Sequence, residues 1–164
     1  MNKKLFLSTI ALLVLSIMMI SPVKAITKEP YEAHIEIDLI DSDKVWDADG
    51  IRQIKNSYWS GTVDGTLGPG IFEAWFKHLS LNLATGEGTF SGKWLLTFSE
   101  GTLAGSARGK ITGYFLVSGT FAGALGTGDL EGVRKMGSLE ALINPTFDHM
   151  VMEAEGTIIY PKDF

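Results

Sequence analysis

The feature that most constrains the fold is a five-residue pattern, Gly-Thr-apolar-x-Gly, which occurs four times, beginning at Gly61, Gly88, Gly101 and Gly119. Successive side chains of a strand point to opposite faces, so both glycines and the apolar residue share one face while Thr takes the other. Glycines on an inner face let a strand bend or let a neighbour approach closely, as a curved sheet requires. The irregular spacing of the four copies argues against a solenoid of equal repeats. The pattern therefore favours a small closed barrel.

The segments around these glycines alternate strictly between apolar and polar residues, as half-buried antiparallel strands do. The inner faces predicted in this way carry Ile35, Ile37 and Leu39 near the start, Phe90, Trp94, Leu96 and Phe98 in the middle, and Met150, Met152, Ala154 and Ile158 near the end. The sequence predicts an all-β fold, a single antiparallel up-and-down β-barrel of about eight strands.

Two segments are less regular. Residues 71–84 fit a helical stripe, but they also fit a strand in which Phe72, Ala74 and Phe76 face inward, followed by a bulge that turns Leu79, Leu81 and Leu83 inward. The strand is favoured, because Gly-rich turns bracket the segment and no N-cap residue opens it. Residues 41–56 break the alternation and are predicted to be a loop with a short helical turn.

The first 25 residues have the layout of a secretory signal peptide. Lys3 and Lys4 precede an apolar run from Leu5 to Ile20, and Val23 and Ala25 are small residues at the two positions that a signal peptidase reads. We expect cleavage after Ala25, which leaves a barrel domain over 26–164, secreted or extracytoplasmic. An uncleaved anchor is the alternative, although the run is short for a membrane span. No later stretch is long enough to cross a membrane as a helix, so no stable span is expected after cleavage.

Composition and motifs exclude several kinds of chemistry. Without residues 1–25 the chain has 11 basic and 19 acidic residues, a formal net charge of −8, which disfavours nucleic acid as a partner. The absence of Cys excludes disulfides, thiolate metal sites and cysteine nucleophiles. Barrel closure would bring His34 and His149 near one another, with Glu36 and Glu153 beside them, but on polar outer faces, so no metal site is predicted. No catalytic residue and no cofactor is predicted either, because no nucleophile elbow, zinc helix or phosphate loop is present.

One segment carries a family resemblance. Gly126-Thr127-Gly128-Asp129-Leu130-Glu131-Gly132-Val133-Arg134, followed by Gly137-Ser138-Leu139, resembles the Gly-rich hairpin of the allene-oxide-cyclase-like barrels, a superfamily that includes the dirigent proteins. The resemblance covers roughly residues 57–137, and Lys135-Met136 stands where the family has Gly-rich sequence. It implies an eight-stranded, calycin-like barrel with an apolar interior, often oligomeric. It implies no cyclase activity, because no catalytic residue of those enzymes matches a position here.

The predicted interior is the place where a ligand could bind. Its aromatic side chains either fill the barrel, which eight strands make just wide enough for side chains, or line a pocket for one apolar molecule. The candidate ligand-binding residues, in the interior or at its mouth, are Trp75, Phe90, Trp94, Phe98, Tyr114 and Phe115.

Three functions stay open at this point. The first is an exported, non-catalytic barrel that binds a small hydrophobic ligand or a partner protein. The second is a structural cell-envelope protein that acts as a homo-oligomer. The third is an isomerase or cyclase, which requires a buried ionisable group in the cavity.

Overall fold

The computed structural model describes residues 26–144 and 148–161, apart from the side chain of Leu39. The predicted signal peptide lies outside the described residues. Eight strands follow one another: β1 Thr27–Ala48, β2 Ile51–Gly65, β3 Gly70–Asn82, β4 Gly88–Phe98, β5 Gly101–Thr112, β6 Leu116–Gly126, β7 Arg134–Ile143 and β8 Met150–Tyr160. A short 3₁₀ turn, Gly128–Leu130, stands between β6 and β7. No helix in the described ranges has the length and hydropathy of a membrane span.

The strands form one closed barrel in sequence order, and β8 pairs with β1 to complete it. All eight pairings are antiparallel. The predicted fold class is therefore confirmed. In the closing pair, Ala33 lies opposite Ala154 on the inside, and His34 lies opposite Glu153 on the outside. Closure leaves the barrel wall without an open sheet edge.

Segment 71–84 is mainly strand, as favoured above. β3 covers Gly70–Asn82, and its register shifts between Phe76 and His78. The shift is the predicted bulge, because Phe72, Ala74 and Phe76 are buried before it and Leu79 and Leu81 are buried after it. Leu83, which was also predicted to face inward, lies in the turn after β3 and is only half-buried. The helical alternative is excluded.

The loop predicted over residues 41–56 is wrong. β1 and β2 continue through this segment as a hairpin arm, joined by Asp49 and Gly50, both at positive φ. Beyond Ile37, β1 pairs with β2 alone, because β8 begins at Met150. A ribbon in which one strand has no second neighbour buries little on either face, so its sequence shows no alternation.

Candidate binding site in the barrel interior

The site begins with a row of inward positions that runs across four neighbouring strands. Trp94 of β4 pairs with Gly105 of β5, Gly105 with Gly123 of β6, and Gly123 with Lys135 of β7. A Cβ atom on either glycine would clash with the Trp94 ring. The indole therefore lies across the two glycines towards β7. The ring centroid is 4.4 Å from Lys135 Nζ.

A second row has the same design. Phe121 of β6 pairs with Gly137 of β7, Gly137 with Gly156 of β8, and Gly156 with Tyr31 of β1. The rings of Phe121 and Tyr31 meet edge to face across the two glycines, with centroids 5.8 Å apart. In both rows, paired glycines remove side chains from the middle of the wall, and the large residues at the two ends fill that space.

The two rows bring Lys135 and Tyr31 together. Lys135 Nζ donates a hydrogen bond to Tyr31 Oη at 2.9 Å. The ammonium position also lies 4.3 Å from the centroid of the Tyr31 ring and 5.2 Å from that of Phe121. Lys135 is only 4% exposed. Among the ion pairs of the described residues, none involves Lys135.

Burial without a carboxylate partner changes the acid–base behaviour of both groups. It lowers the pKa of Lys135 to about 7, because the apolar surroundings disfavour the charged amine. It also raises the pKa of the Tyr31 phenol, so that Tyr31 keeps its proton. Near neutral pH a large fraction of the amine is therefore uncharged and has a free lone pair. The same interior holds an amine that can accept a proton and a phenol that can donate one.

Trp94 adds a third polar atom. Its Nε1 is buried and has no hydrogen-bond acceptor among the described residues. A buried donor without an acceptor costs about 1–3 kcal/mol, so such donors commonly mark the place of a bound molecule or water.

These side chains line a cavity of about 40 Å³. Its walls include Tyr31, Trp59, Phe76, Phe90, Trp94, Phe121 and Lys135. The volume suffices for roughly three waters, or for one organic molecule of about four non-hydrogen atoms. It is far below the ~300 Å³ at which ordinary ligand pockets begin. Most of the interior is thus filled by side chains, and the remaining space lies beside the amine.

The six predicted site residues lie in different parts of the barrel, and only some of them face the cavity. Phe90 and Trp94 line the cavity, and Phe98 is buried in the same core but does not line it. Trp75 lies on the outer face, 43% exposed, because Ala74 and Phe76 on either side of it point inward.

Phe115 does not face the interior, which corrects its predicted inward placement, whereas Tyr114 is half-buried and packs against the edge of the core. They lie in the turn between β5 and β6, where Gly113 and Tyr114 have positive φ and end the alternation. Tyr114 Oη donates to the Leu83 carbonyl at 2.6 Å, and Phe115 is 40% exposed.

Sequence reasoning missed the two residues that carry the chemistry. Lys135 alternates with Val133, Gly137 and Leu139, and that pattern alone would have placed it inside. Tyr31 likewise precedes Ala33 and Ile35 at the correct spacing.

The outer surface carries a different polar cluster at the closing pair of strands. His34 Nδ1 bonds Glu153, and His34 Nε2 lies 3.5 Å from Glu36 Oε1. The hydrogen bond to Glu153, followed by that to Glu36, raises the pKa of His34. His149 contacts Asp38 instead. Among the described residues no group of side chains is arranged to hold a metal ion.

Charge is divided between two sides of the barrel. β4, β5 and β6 contain no acidic residue, and Lys93, Arg108 and Lys110 point outward from them. On the same side a groove of about 970 Å³ is bordered by Trp75, Lys77, Lys93 and Arg108. β8 contains no basic residue. Its Glu153 pairs with Glu140 on one side and with His34 on the other, and β8 lies three strands away from β5, which carries Arg108 and Lys110.

Comparison with known proteins adds no relative: no protein-family model and no curated protein matches this chain.

Proposed function

We propose that this chain is an exported, non-catalytic β-barrel that binds one small, largely apolar molecule in its interior, at Lys135, Tyr31 and Trp94. The observation that carries the proposal is a polar triad without a carboxylate partner beside a cavity in an otherwise apolar core. A core needs no buried lysine for stability, since burying an amine without a countercharge is costly.

The geometry defines the ligand class. The cavity accepts about four non-hydrogen atoms, mostly against aromatic rings. One oxygen on the ligand would accept a hydrogen bond from the Trp94 indole or from Tyr31. Non-covalent binding of so small a molecule reaches tens of micromolar at best, because each atom contributes at most about 1.5 kcal/mol.

Nuclear magnetic resonance of the full barrel domain tests this proposal. On titration with 1-propanol, we expect the Trp94 indole proton to move downfield as it gains an acceptor, together with the amides of Gly105 and Gly123. The Trp46 indole on the hairpin arm serves as the internal control, and Trp94→Phe assigns the resonance. Equal small shifts of all indole protons would contradict interior binding.

Export and cleavage are a separate part of the proposal. The support is the layout of residues 1–25, with its basic start, its apolar run and the small residues Val23 and Ala25. Mass spectrometry of the protein recovered from outside the cytosol should give a chain that begins at Ile26. A chain that keeps its first 25 residues in the membrane fraction would indicate the uncleaved anchor.

The isomerase interpretation required a buried ionisable group, and Lys135 with Tyr31 meets that requirement. Membership of the allene-oxide-cyclase-like superfamily stays a proposal, supported by the closed barrel and the Gly-rich turn before β7. Lipid-derived or phenolic substrates, however, need far more space than about 40 Å³. Binding of a small molecule is therefore the function that the geometry supports best.

Self-association is the second candidate, and the division of charge favours it. We propose that the basic groove beside Arg108 receives the acidic side around Glu153 of a second copy. Contact between two different surfaces of one chain is heterologous, so it produces rings or filaments rather than closed dimers. Such contacts weaken with salt, because both surfaces are exposed.

Sedimentation velocity at low and high salt tests the second candidate. We expect larger species at low salt, their loss in Arg108→Glu and in Glu153→Lys, and their return when the two variants are mixed. Lys44→Glu on the hairpin arm is the control and should behave as the unmodified chain. A monomer at millimolar concentration in low salt would overturn this candidate.

A further inference from the structure

We propose that Lys135 binds short-chain aldehydes covalently, as a reversible imine inside the barrel. The inference rests on the proposed interior site and names its ligand class. Three features of the interior point to it: a buried amine without a carboxylate partner among the described residues, a phenol at hydrogen-bond distance, and a small adjoining space.

The amine has the properties of a nucleophile. A lysine on the surface is almost entirely protonated near neutral pH and reacts slowly with carbonyl groups. Lys135 Nζ has no carboxylate partner among the described residues that would hold it charged, and its surroundings disfavour the ammonium ion. A desolvated lysine in an apolar pocket is one of the established ways in which proteins activate this side chain.

The reaction balances without a further reagent. The Nζ lone pair attacks the aldehyde carbon, and the nitrogen proton moves to the oxygen, giving a carbinolamine. Tyr31 donates its phenolic proton to that hydroxyl group, which leaves as water, and Tyr31 recovers a proton from the nitrogen. The products are the Lys135 imine and one water molecule, and hydrolysis reverses the same steps.

The cavity selects the aldehyde by size. About four non-hydrogen atoms correspond to propanal, whose carbonyl oxygen can reach the donors while its ethyl group contacts aromatic rings. Aromatic or long-chain aldehydes exceed the space. The covalent bond also supplies the affinity that a molecule of this size cannot obtain from non-covalent contacts alone.

Reduction by cyanoborohydride tests the inference, because it converts an imine into a stable secondary amine. The folded protein is treated briefly with dilute propanal near pH 7, and the modified lysines are located by peptide mass spectrometry. We expect a propyl group on Lys135 at least about tenfold faster than on exposed lysines away from the cavity, such as Lys110. Octanal at the same concentration should show no such preference.

Two variants separate reactivity from folding. Lys135→Met should remove the preferred site, whereas Lys110→Met, at an exposed position on β5, should leave it unchanged. Tyr31→Phe should keep the lysine but slow its labelling on the order of 100-fold, as expected for loss of a general acid. Uniform labelling of all lysines in the folded protein would overturn the inference.

The failure of this inference differs from the failure of the proposed function. 1-Propanol has the size of propanal but forms no imine. Interior binding of 1-propanol without preferred labelling by propanal would overturn the imine and leave the binding site. Absence of both results would overturn both.

Discussion

The barrel carries a tryptophan and a lysine on each side of its wall. On the inside, the Trp94 ring lies 4.4 Å from Lys135 Nζ. On the outside, Trp75 and Lys93 are opposite one another on β3 and β4. The residue types are the same, but only the inner pair is removed from water. The comparison shows that the chemistry of a side chain in this fold depends on which face of the strand it occupies.

The largest effect expected from this comparison concerns the two tryptophans. Trp94→Ala empties the interior beside Gly105 and Gly123 and should lower the unfolding free energy by about 4 kcal/mol. Trp75→Ala removes an exposed side chain and should cost less than about 1 kcal/mol. Urea unfolding of both variants measures the difference. Similar losses would mean that the indole inside does not fill the barrel.

The two lysines should differ in the opposite direction. Lys135→Met replaces a buried amine with an apolar side chain of similar length and should raise the unfolding free energy at pH 7 by about 2 kcal/mol. Lys93→Met should change it by less than about 0.5 kcal/mol. A decrease in Lys135→Met would mean that the amine stabilises the fold, which would remove the argument that it is kept for function.

The pH dependence of stability should also distinguish Lys135 from Lys93. The pKa of Lys135 is lowered from 10.5 to about 7, so between these values the unfolded chain binds one more proton than the folded chain. Stability should therefore rise with pH in this range, by at most ~1.4 kcal/mol per pH unit. Tyr31 is the titratable group against Lys135, and it stays protonated because burial raises its pKa. Lys135→Met should flatten the profile in urea unfolding, whereas a Lys93→Met profile should keep its slope.

Two tyrosines extend the comparison to hydrogen bonds. Tyr31→Phe removes the partner of a buried amine and should cost about 1 kcal/mol. Tyr58 lies on the outer face and donates to Glu73 Oε1 at 2.7 Å. Tyr58→Phe should cost less than about 0.5 kcal/mol, because water replaces the lost bond. Equal costs from thermal unfolding would contradict the difference in environment.

The smallest effect is expected at the outer cluster. The pKa of His34 is raised by Glu153 and then Glu36, so its contribution to stability is present below about pH 6.5 and is lost as the pH rises through the raised value. Glu153→Gln should reduce stability by a few tenths of a kcal/mol below that pH and have no effect through His34 above pH 8, since the pair is exposed. A large effect at pH 8 would indicate another role for Glu153.

Much of the fold was predictable because alternation and inner-face glycines are local consequences of a curved sheet. They led to the closed barrel and to the bulge after Phe76 in β3. The hairpin arm was missed because β1 has only one neighbouring strand there, so the segment buries too little to leave an alternating pattern. Phe115 was predicted to face inward because it continues the alternation of Ile111 and Gly113 in the sequence, and the prediction failed because the positive φ of Gly113 and Tyr114 interrupts that alternation.

The site was harder to predict than the wall around it. Phe90 and Trp94 followed from alternation. Lys135 also fits the alternation of its strand, but a lysine is rarely expected at a buried position. Tyr31 lies 104 residues from Lys135 in the sequence, and Trp94 lies 41 residues from it. They reach Lys135 only because paired glycines leave space between them in the barrel wall. The convergence of the three residues depends on strand register, which the sequence of one strand does not contain.

The closure of β1 on β8 has a consequence for how the protein forms. Thr27 pairs with Tyr160, so β1 cannot complete its pairing until β8 has been synthesised. Contacts between such distant parts of a chain form slowly. The contact between Lys135 and Tyr31 depends on this pairing, because β8 lies between the two strands that carry them. The reactive form proposed for this lysine would therefore arise only after the barrel has closed.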